Sequence, residues 1–532
     1  MSIVLSSLNC KYIHPNMAIR ILRNELQDHD IKVDLKEYTI KQDIDFIIKE
    51  LMTYEIIALS CYIWNIELIK MITRAIKKRD NHKIIILGGP EVSYYEEQEL
   101  TDIAFDYIVC GEGEEIFLDL ITNLLQQQDY QHEALIIKKN HHLKINTLIN
   151  KTNVAYYQKY TNDFKDIDLN KQLVYLETSR GCPYQCSYCL ASLDNDVSNI
   201  SLDNVYDKLN YLLDNKAKTI KLLDRTFNFD EERTNKIIKY IIEHDNHYST
   251  FQLEITGDLL ATSTITLIND YARQDLFRME IGIQSINDDT NKAINRYQNN
   301  DLLFKNITSL LKSQKVILHL DLIAGLPLED YESFINTFNT VFSYYPHELQ
   351  LGILKLLKGT HLNKQITNYQ YQFNKKACYE LQASSFLNQE QLRIIKACEL
   401  ALNRYYNSKK AHIIIIHLIK KYHLNAFEMF VYLSDHLKDI KQLNELYQRL
   451  FIYLKDEEDY QVCFDNYYLN SNYRLKPLSN VINKKEILNK INNLKIIKQE
   501  VLYRDTIIER ITANKYYLRL LKTKEIRIIK IN

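Results

Sequence analysis

The residues best equipped for chemistry are three cysteines spaced C-x3-C-x2-C: Cys182, Cys186 and Cys189. They come directly after the apolar run Leu173 to Thr178. Thiolates this close can all reach one metal centre. A structural zinc wants four tetrahedral ligands, and no fourth Cys or His is near; the next histidine is His244. An iron–sulfur cluster normally takes four cysteines. With three, one iron of a four-iron cluster stays open to a substrate or cofactor, which suits chemistry more than structure. Two further readings compete. Thiols at i, i+4 and i+7 match one face of a helix and would simply be buried. A plain electron-transfer cluster would be fully ligated.

The elements that position this loop read as two βα series. In residues 1–126 the short apolar runs Ile3 to Leu8, Ile31 to Tyr38, Ile56 to Tyr62, Ile84 to Leu87 and Tyr107 to Cys110 alternate with amphipathic segments such as Ala18 to Leu26 and Ile66 to Lys78. That alternation predicts a doubly wound parallel sheet with ligands at the carboxyl ends of its strands. Those ends carry Cys10, Ser60, Cys61, Gly88, Gly89, Glu91, Cys110, Gly111, Glu112 and Gly113. Residues 127–171 read as a polar linker with some β structure. The second series, 172–365, has six strand-like runs: Leu173 to Thr178, Thr219 to Leu223, Gln252 to Ile255, Arg278 to Ile283, Ile317 to Ile323 and Glu348 to Leu354. Six units suit a partial (β/α)6 TIM-type barrel. Residues 366–532 read as a mainly helical, α+β domain, with helical periodicity at 388–406 and 425–455.

Composition bounds the function. The 532 residues are 46% hydrophobic and 25% charged, so the chain can build several cores. A formal net charge of -1 excludes a generalised polyanion binder. Residues 484–530 hold 13 Lys/Arg against 5 Asp/Glu; this reads first as a solvated face and leaves nucleic acid as a minor alternative. No apolar run approaches the ~20 residues that span a bilayer. The start, MSIVLSSLNCKYIH, has no basic region followed by an apolar stretch. We therefore expect a cytoplasmic protein whose nine cysteines are reduced.

Cys182-x3-Cys186-x-Tyr188-Cys189 resembles the C-x3-C-x-aromatic-C loop of the radical S-adenosylmethionine (SAM) superfamily. The resemblance implies that the three thiolates hold a 4Fe-4S cluster whose open iron chelates the amino and carboxylate groups of SAM. Reductive cleavage would give a 5′-deoxyadenosyl radical that abstracts a substrate hydrogen. The electron would come from a flavodoxin or ferredoxin. Tyr188 would pack near the adenine. Further SAM contacts are implied at the strand ends: Asp224, Glu254, Glu280, Gln284, Ser285, Arg296 and Gly325. The superfamily's Gly-Gly-Glu is absent beside Asp224. No residue is assigned as catalytic.

Residues 1–126 resemble the cobalamin-binding domain that precedes the barrel in one branch of these enzymes. By that likeness, Ser60, Gly88, Gly89, Gly111, Glu112 and Gly113 would line a cobalamin site. The D-x-H-x-x-G motif of histidine-ligated cobalamin proteins is incomplete. His14 is either the axial ligand or a turn residue before a helix opened by Pro15. The chain looks most like a subgroup with an extra C-terminal domain. The implied reaction is methylation, cyclisation or rearrangement of a small molecule or another substrate. One alternative is an RNA methylthiotransferase-like enzyme with a second cluster on Cys10, Cys61 and Cys110, which otherwise read as buried thiols. Another is a non-catalytic iron–sulfur redox sensor.

Overall fold

Runs of Ile, Val and Leu with buried neighbours on both sides dictate the first sheet. In the computed structural model, which describes residues 1–139, 142–144, 148–157, 164–470, 478–479, 484–493, 506–512, 514–520 and 525–531, its strands are β1 (Ile3–Asn9), β2 (Asp34–Thr39), β3 (Ile56–Ser60), β4 (Ile84–Gly88), β5 (Tyr107–Val109), β6 (Leu135–Lys139) and β7 (His142–Lys144). Their order is β2-β1-β3-β4-β5-β6-β7. The first five are parallel, and β6 and β7 add antiparallel. Successive side chains point to opposite faces. Val4, Leu8, Ile57, Leu59, Ile85 and Leu87 therefore share one core, packed by helices Ile44–Leu51 and Ile66–Arg79. Ile3, Leu5, Ile56, Ala58, Ile86 and Val109 share the other, packed by helices Met17–Asp28 and Glu114–Leu125.

Two expectations need correcting. The sheet runs past residue 126, because Leu135, Ile136 and Ile137 are buried and pair with β5. The second strand begins at Asp34, three residues later than its apolar run, because register with β1 starts there. The order 2-1-3-4-5 places a topological switch point between β1 and β3, where such sheets bind ligands.

The second sheet comprises β8 (Leu173–Leu176), β11 (Thr219–Leu222), β12 (Thr250–Ile255), β13 (Phe277–Gln284), β14 (Val316–Ala324) and β15 (Glu348–Ile353), in that order. A short antiparallel pair, β9 (Ser179–Arg180) and β10 (Ser198–Asn199), follows β8 and flanks the cysteine loop. Strict alternation in β12, β13 and β14 buries Phe251, Leu253, Phe277, Met279, Ile281, Leu318 and Leu320 on one side. The other side presents Glu254, Arg278, Glu280, His319 and Asp321. Barrel interiors are usually filled by apolar branched side chains, so this charged lining calls for pairing partners or a ligand.

The chain divides into two compact units: residues 1–330 with 353–388, and residues 331–352 with 389–532. The first contains both cofactor-type regions, together with the short hairpin β16 (Gln372–Phe373) and β17 (Leu381–Ala383). The second is mostly helical. The periodic stretch 425–455 is not one helix: Ala426–Ser434 ends before His436, whose backbone is left-handed, and the chain resumes as Leu443–Gln448. The second unit ends in an antiparallel sheet, β18 (Thr506–Arg510), β19 (Lys515–Leu520) and β20 (Ile526–Lys530). Ile508, Leu518 and Ile529 share a small core with Ile487, Leu488 and Ile491 of helix Lys484–Asn493. Among the described residues, no helix is long and apolar enough to cross a membrane.

Candidate functional site

The cysteines sit on an irregular loop after β9, not on a helix, so the helix-face reading of their spacing fails. The loop is pinned through its backbone. Cys182 N–H donates to Asp194 O (2.9 Å), Ser187 N–H to Ile294 O (2.9 Å), and Leu362 N–H to Ser187 O (2.8 Å). Cys182 and Cys186 are buried and Cys189 is half-buried. Burial pushes the Cys186 and Cys189 thiols up, but each has a cation beside it that favours the thiolate: Arg296 at Cys186 and Arg225 at Cys189. Tyr188 lies against Cys186, Cys189 and Arg296. Arg296 also donates to Gly282 O on β13 and to Gln298 Oε1 (3.1 Å). Among the described residues, no three His, Cys, Asp or Glu side chains surround a single ion-sized point. A polynuclear cluster, which takes each thiolate at a separate iron, fits this donor set better than one metal ion does.

Gly181 turns the chain into this loop. Its φ is +91°, and an added Cβ would lie 2.2 Å from Asp196 O. We expect Gly181→Ala to cost at least about 2–3 kcal/mol from backbone strain alone. Iron content should fall with the thermal midpoint, because the same loop carries Cys182. Unchanged values of both would refute the assignment.

Other expected SAM contacts prove to be engaged within the protein. Asp224 is buried, and its carboxylate accepts from Thr178 N–H (3.1 Å), Thr178 Oγ1 (2.6 Å) and Ser179 Oγ (2.6 Å). Burial raises its pKa against those hydrogen bonds. Ser285 Oγ donates to Glu329 Oε1 (2.6 Å). Gln284 has φ +66° and folds its amide back over Gly282. Gly325 is covered by Leu381, and Tyr371 donates to its carbonyl (3.1 Å). Glu254 and Glu280 share one cation, Lys221, at 3.0 and 2.8 Å. The two carboxylates in turn raise the Lys221 pKa against its burial, so it remains an ammonium. His319 and Asp321 pair next to them at 3.0 Å.

At the switch point of the first sheet, Asn16 organises the loop ends. Its side-chain amide donates to Ser7 Oγ (3.0 Å), Ser60 Oγ (3.1 Å) and Tyr62 Oη (3.4 Å), while its Oδ1 caps the helix at Ile19 N–H. Asn16, not Pro15, is thus the boundary residue of that helix. His14 Nδ1 lies 2.6 Å from Tyr175 Oη on β8, a partner invisible in the local sequence. Burial, then Lys11 and Lys221, lower the His14 pKa and keep its ring neutral. Tyr62 stacks on Trp64 with centroids 4.4 Å apart, and Trp64 is exposed. Gly111 has φ +90°, and a Cβ there would lie 2.4 Å from Asn150 O. Gly89 packs on the Cys61 backbone, whereas Gly88 and Gly113 make only ordinary contacts. Cys61 follows β3 and Cys110 follows β5 with β4 between them, which separates the two strands by about 10 Å. Cys10 has Cys378 as its thiol neighbour.

Three family models match the chain. Residues 5–121 match the B12 binding domain, 176–341 the radical SAM superfamily, and 367–529 a protein of unknown function, DUF4080. The chain thus carries a B12-binding domain followed by a radical SAM domain, with a DUF4080 region after them. Among curated proteins it is 22% identical over 341 residues to the cobalamin-dependent radical SAM methyltransferase TokK of Streptomyces tokunonensis, covering 56% of this chain and 47% of that one. It is 21% identical, with the same coverage, to the 2-(S-pantetheinyl)-carbapenam-3-carboxylate methyltransferase of Streptantibioticus cattleyicolor. The chain spans about half the length of these relatives. Among solved structures, the cobalamin-dependent SAM radical enzyme OxsB with aqua-cobalamin bound matches with a TM-score of 0.57 at 17% identity, over 94% of this chain and 80% of that one. The radical SAM methyltransferase TsrM from Kitasatospora setae gives a TM-score of 0.56 at 15% identity, over 73% and 82%. These likenesses agree with the α/β architecture described above.

Sequence reasoning assigned no role to Arg180, Tyr175, Lys221 or Arg225. Arg180 and Glu177 stood three residues apart in the cysteine stretch, which was the one available local signal. The Lys221 contacts join three strands and had none.

Proposed function

We propose that this chain is a radical SAM enzyme, cobalamin-linked and of the methyltransferase type. The observation that carries the reading is the cysteine loop itself: three thiols pinned by backbone hydrogen bonds, with an arginine beside Cys186 and another beside Cys189. Cys182, Cys186 and Cys189 would hold a 4Fe-4S cluster, which when bound supplies the electron that cleaves SAM. The chain's own residues bind and orient. Arg296 balances the charge of the thiolates and reaches the end of β13. Tyr188 flanks the same position. Glu254 and Glu280 hold Lys221 as a fixed charged wall of the lumen, where SAM and substrate would meet. Asp224 is a positioning residue for the loop. At the first sheet, Ser60, Gly88, Gly113 and the Tyr62–Trp64 stack lie where a flat macrocycle could rest on backbone and rings. A small flavodoxin or ferredoxin is the proposed reductant, and the cytoplasm the proposed compartment.

The test is anaerobic preparation with hydroxocobalamin supplied. About four irons per chain, bound corrin, and 5′-deoxyadenosine or S-adenosylhomocysteine formed from SAM are expected. Zinc alone, or SAM left intact, would overturn the reading. His14→Gln should leave the visible spectrum of bound corrin unchanged, since His14 is committed to Tyr175. A shifted corrin band would instead assign His14 to cobalt.

A further inference from the structure

Apart from Glu112, expected from the sequence to line a cobalamin site, the members of the charge cluster centred on Arg180 have no role above. Its guanidinium makes a paired contact with Glu177, at 3.1 Å to each carboxylate oxygen from Nε and 2.9 Å from Nη2. Nη1 lies 2.8 Å from Glu114 and 3.6 Å from Glu112. Arg180 and Glu114 are largely buried. The four residues come from two places. Arg180 and Glu177 flank the entry to the cysteine loop, two residues before Cys182. Glu112 and Glu114 form the turn after β5 in the first domain. That turn is itself fixed: Glu112 N–H donates to Asn150 O (3.0 Å), Thr152 N–H donates to Glu112 Oε2 (2.6 Å), and Glu114 opens helix Glu114–Leu125. A second tie runs alongside, since Lys151 pairs with Asp194 (2.5 Å) and Asp196 (3.2 Å), the segment that receives Cys182 N–H.

Three carboxylates around one guanidinium are more anions than stability requires. A buried cation is balanced by one well-placed carboxylate, and each further one must be desolvated. The arrangement instead matches what a planar fork does uniquely well. It holds several acceptors at fixed angles, which a lysine cannot. We propose that Arg180 is a positioning residue that locks the Gly111–Glu114 turn of the corrin-type domain to the cluster loop and so sets the separation of the two cofactors. This rests on the reading of the preceding section. Fixed separation matters because groups that must react in sequence lose rate steeply with small misplacement.

The test uses the full chain, prepared anaerobically with hydroxocobalamin, in native form and as Arg180→Lys, Glu112→Gln and Glu114→Gln. Iron and corrin are counted, the corrin dissociation constant is titrated, and the electron paramagnetic resonance signal of cob(II)alamin is recorded with the cluster oxidised and reduced. In the native protein, the reduced cluster should broaden and relax the cobalt signal at a single, well-defined strength. The variants should retain about four irons and bound corrin, with a changed or distributed broadening. Their corrin affinity should be weaker by roughly tenfold. Simple destabilisation would lose cofactors without altering the coupling in molecules that keep both. If Arg180→Lys does not fold, the two neutral glutamine variants, which remove anions and leave the guanidinium, carry the same readout. A native protein without corrin sinks the underlying reading and this inference with it. A native protein with both cofactors, and variants with native coupling and affinity, overturns the inference alone.

Discussion

Replacing any one of Cys182, Cys186 and Cys189 with alanine should remove most of the iron and lower SAM cleavage by at least about 100-fold, the upper range for loss of a mere outer-shell partner of a metal. The Cys186 thiol feels Cys182, and the Cys189 thiol feels both Cys186 and Cys182. The same substitution at Cys61 or Cys110 should leave iron and cleavage unchanged. Those thiols are buried with no cation among the causes of their shift: burial pushes Cys110 up to about 12 and Cys61 higher still. They remain protonated, and a protonated thiol is a poor ligand. Iron and sulfide analysis of the five single variants checks both halves. Loss of iron on changing Cys61 or Cys110 would revive the two-cluster alternative. Full iron on changing Cys186 would remove the basis of the whole assignment.

That contrast shows what a sequence can disclose about such a site. Cys182, Cys186 and Cys189 are seven residues apart end to end, so their meeting is guaranteed by chain geometry and the motif is legible. The strands are legible for a similar reason: Ile56 to Ser60 or Val316 to Ala324 are buried through local alternation or continuous apolarity. β6 is harder to read, because its short Leu-Ile-Ile run is followed at once by lysines and lies in a polar stretch. The break at His436 inside 425–455 depends on a left-handed residue that periodicity does not register. Functional polar residues are hardest of all. Lys221 meets Glu280 across 59 positions, and His14 meets Tyr175 across 161. Nothing local encodes those meetings: Lys221 reaches Glu254 and Glu280 across neighbouring parallel strands, and His14, in the loop after β1, meets a residue on a strand of the other sheet. An acid at a strand end could therefore be placed from sequence, but not its partner. For that reason Asp224 and Ser285 could be picked out as strand-end polar residues, but not their partners Thr178, Ser179 and Glu329.

Asp224 gives the second large effect. Its two oxygens receive three donors from Thr178 and Ser179, the residues through which β8 hands the chain to Arg180, Gly181 and Cys182. Asp224→Ala leaves two buried hydroxyls and one buried N–H without their acceptor. At about 1–3 kcal/mol for each buried group left unpaired, with partial relaxation, we expect a total near 3–4 kcal/mol. Asp224→Asn keeps the shape and one good acceptor but turns an N–H toward at least one donor. Its cost should be about 1–2 kcal/mol. The pH dependence separates charge from shape. Burial, the largest cause, raises the folded pKa of Asp224 above its unfolded value. The folded state therefore binds the proton more tightly than the unfolded state does. This group's contribution is fully present below the unfolded pKa and is lost as pH rises through the folded pKa. Asparagine has no such loss, so the Asn penalty should be largest at acid pH and shrink as the pH rises. Denaturant titrations of the two variants across that range measure it. Both variants should also load less iron than the native protein, Ala less than Asn, because the tether leads into the cluster loop. A direct role in gripping SAM predicts the opposite pattern: full iron and native stability, with only the apparent affinity for SAM reduced.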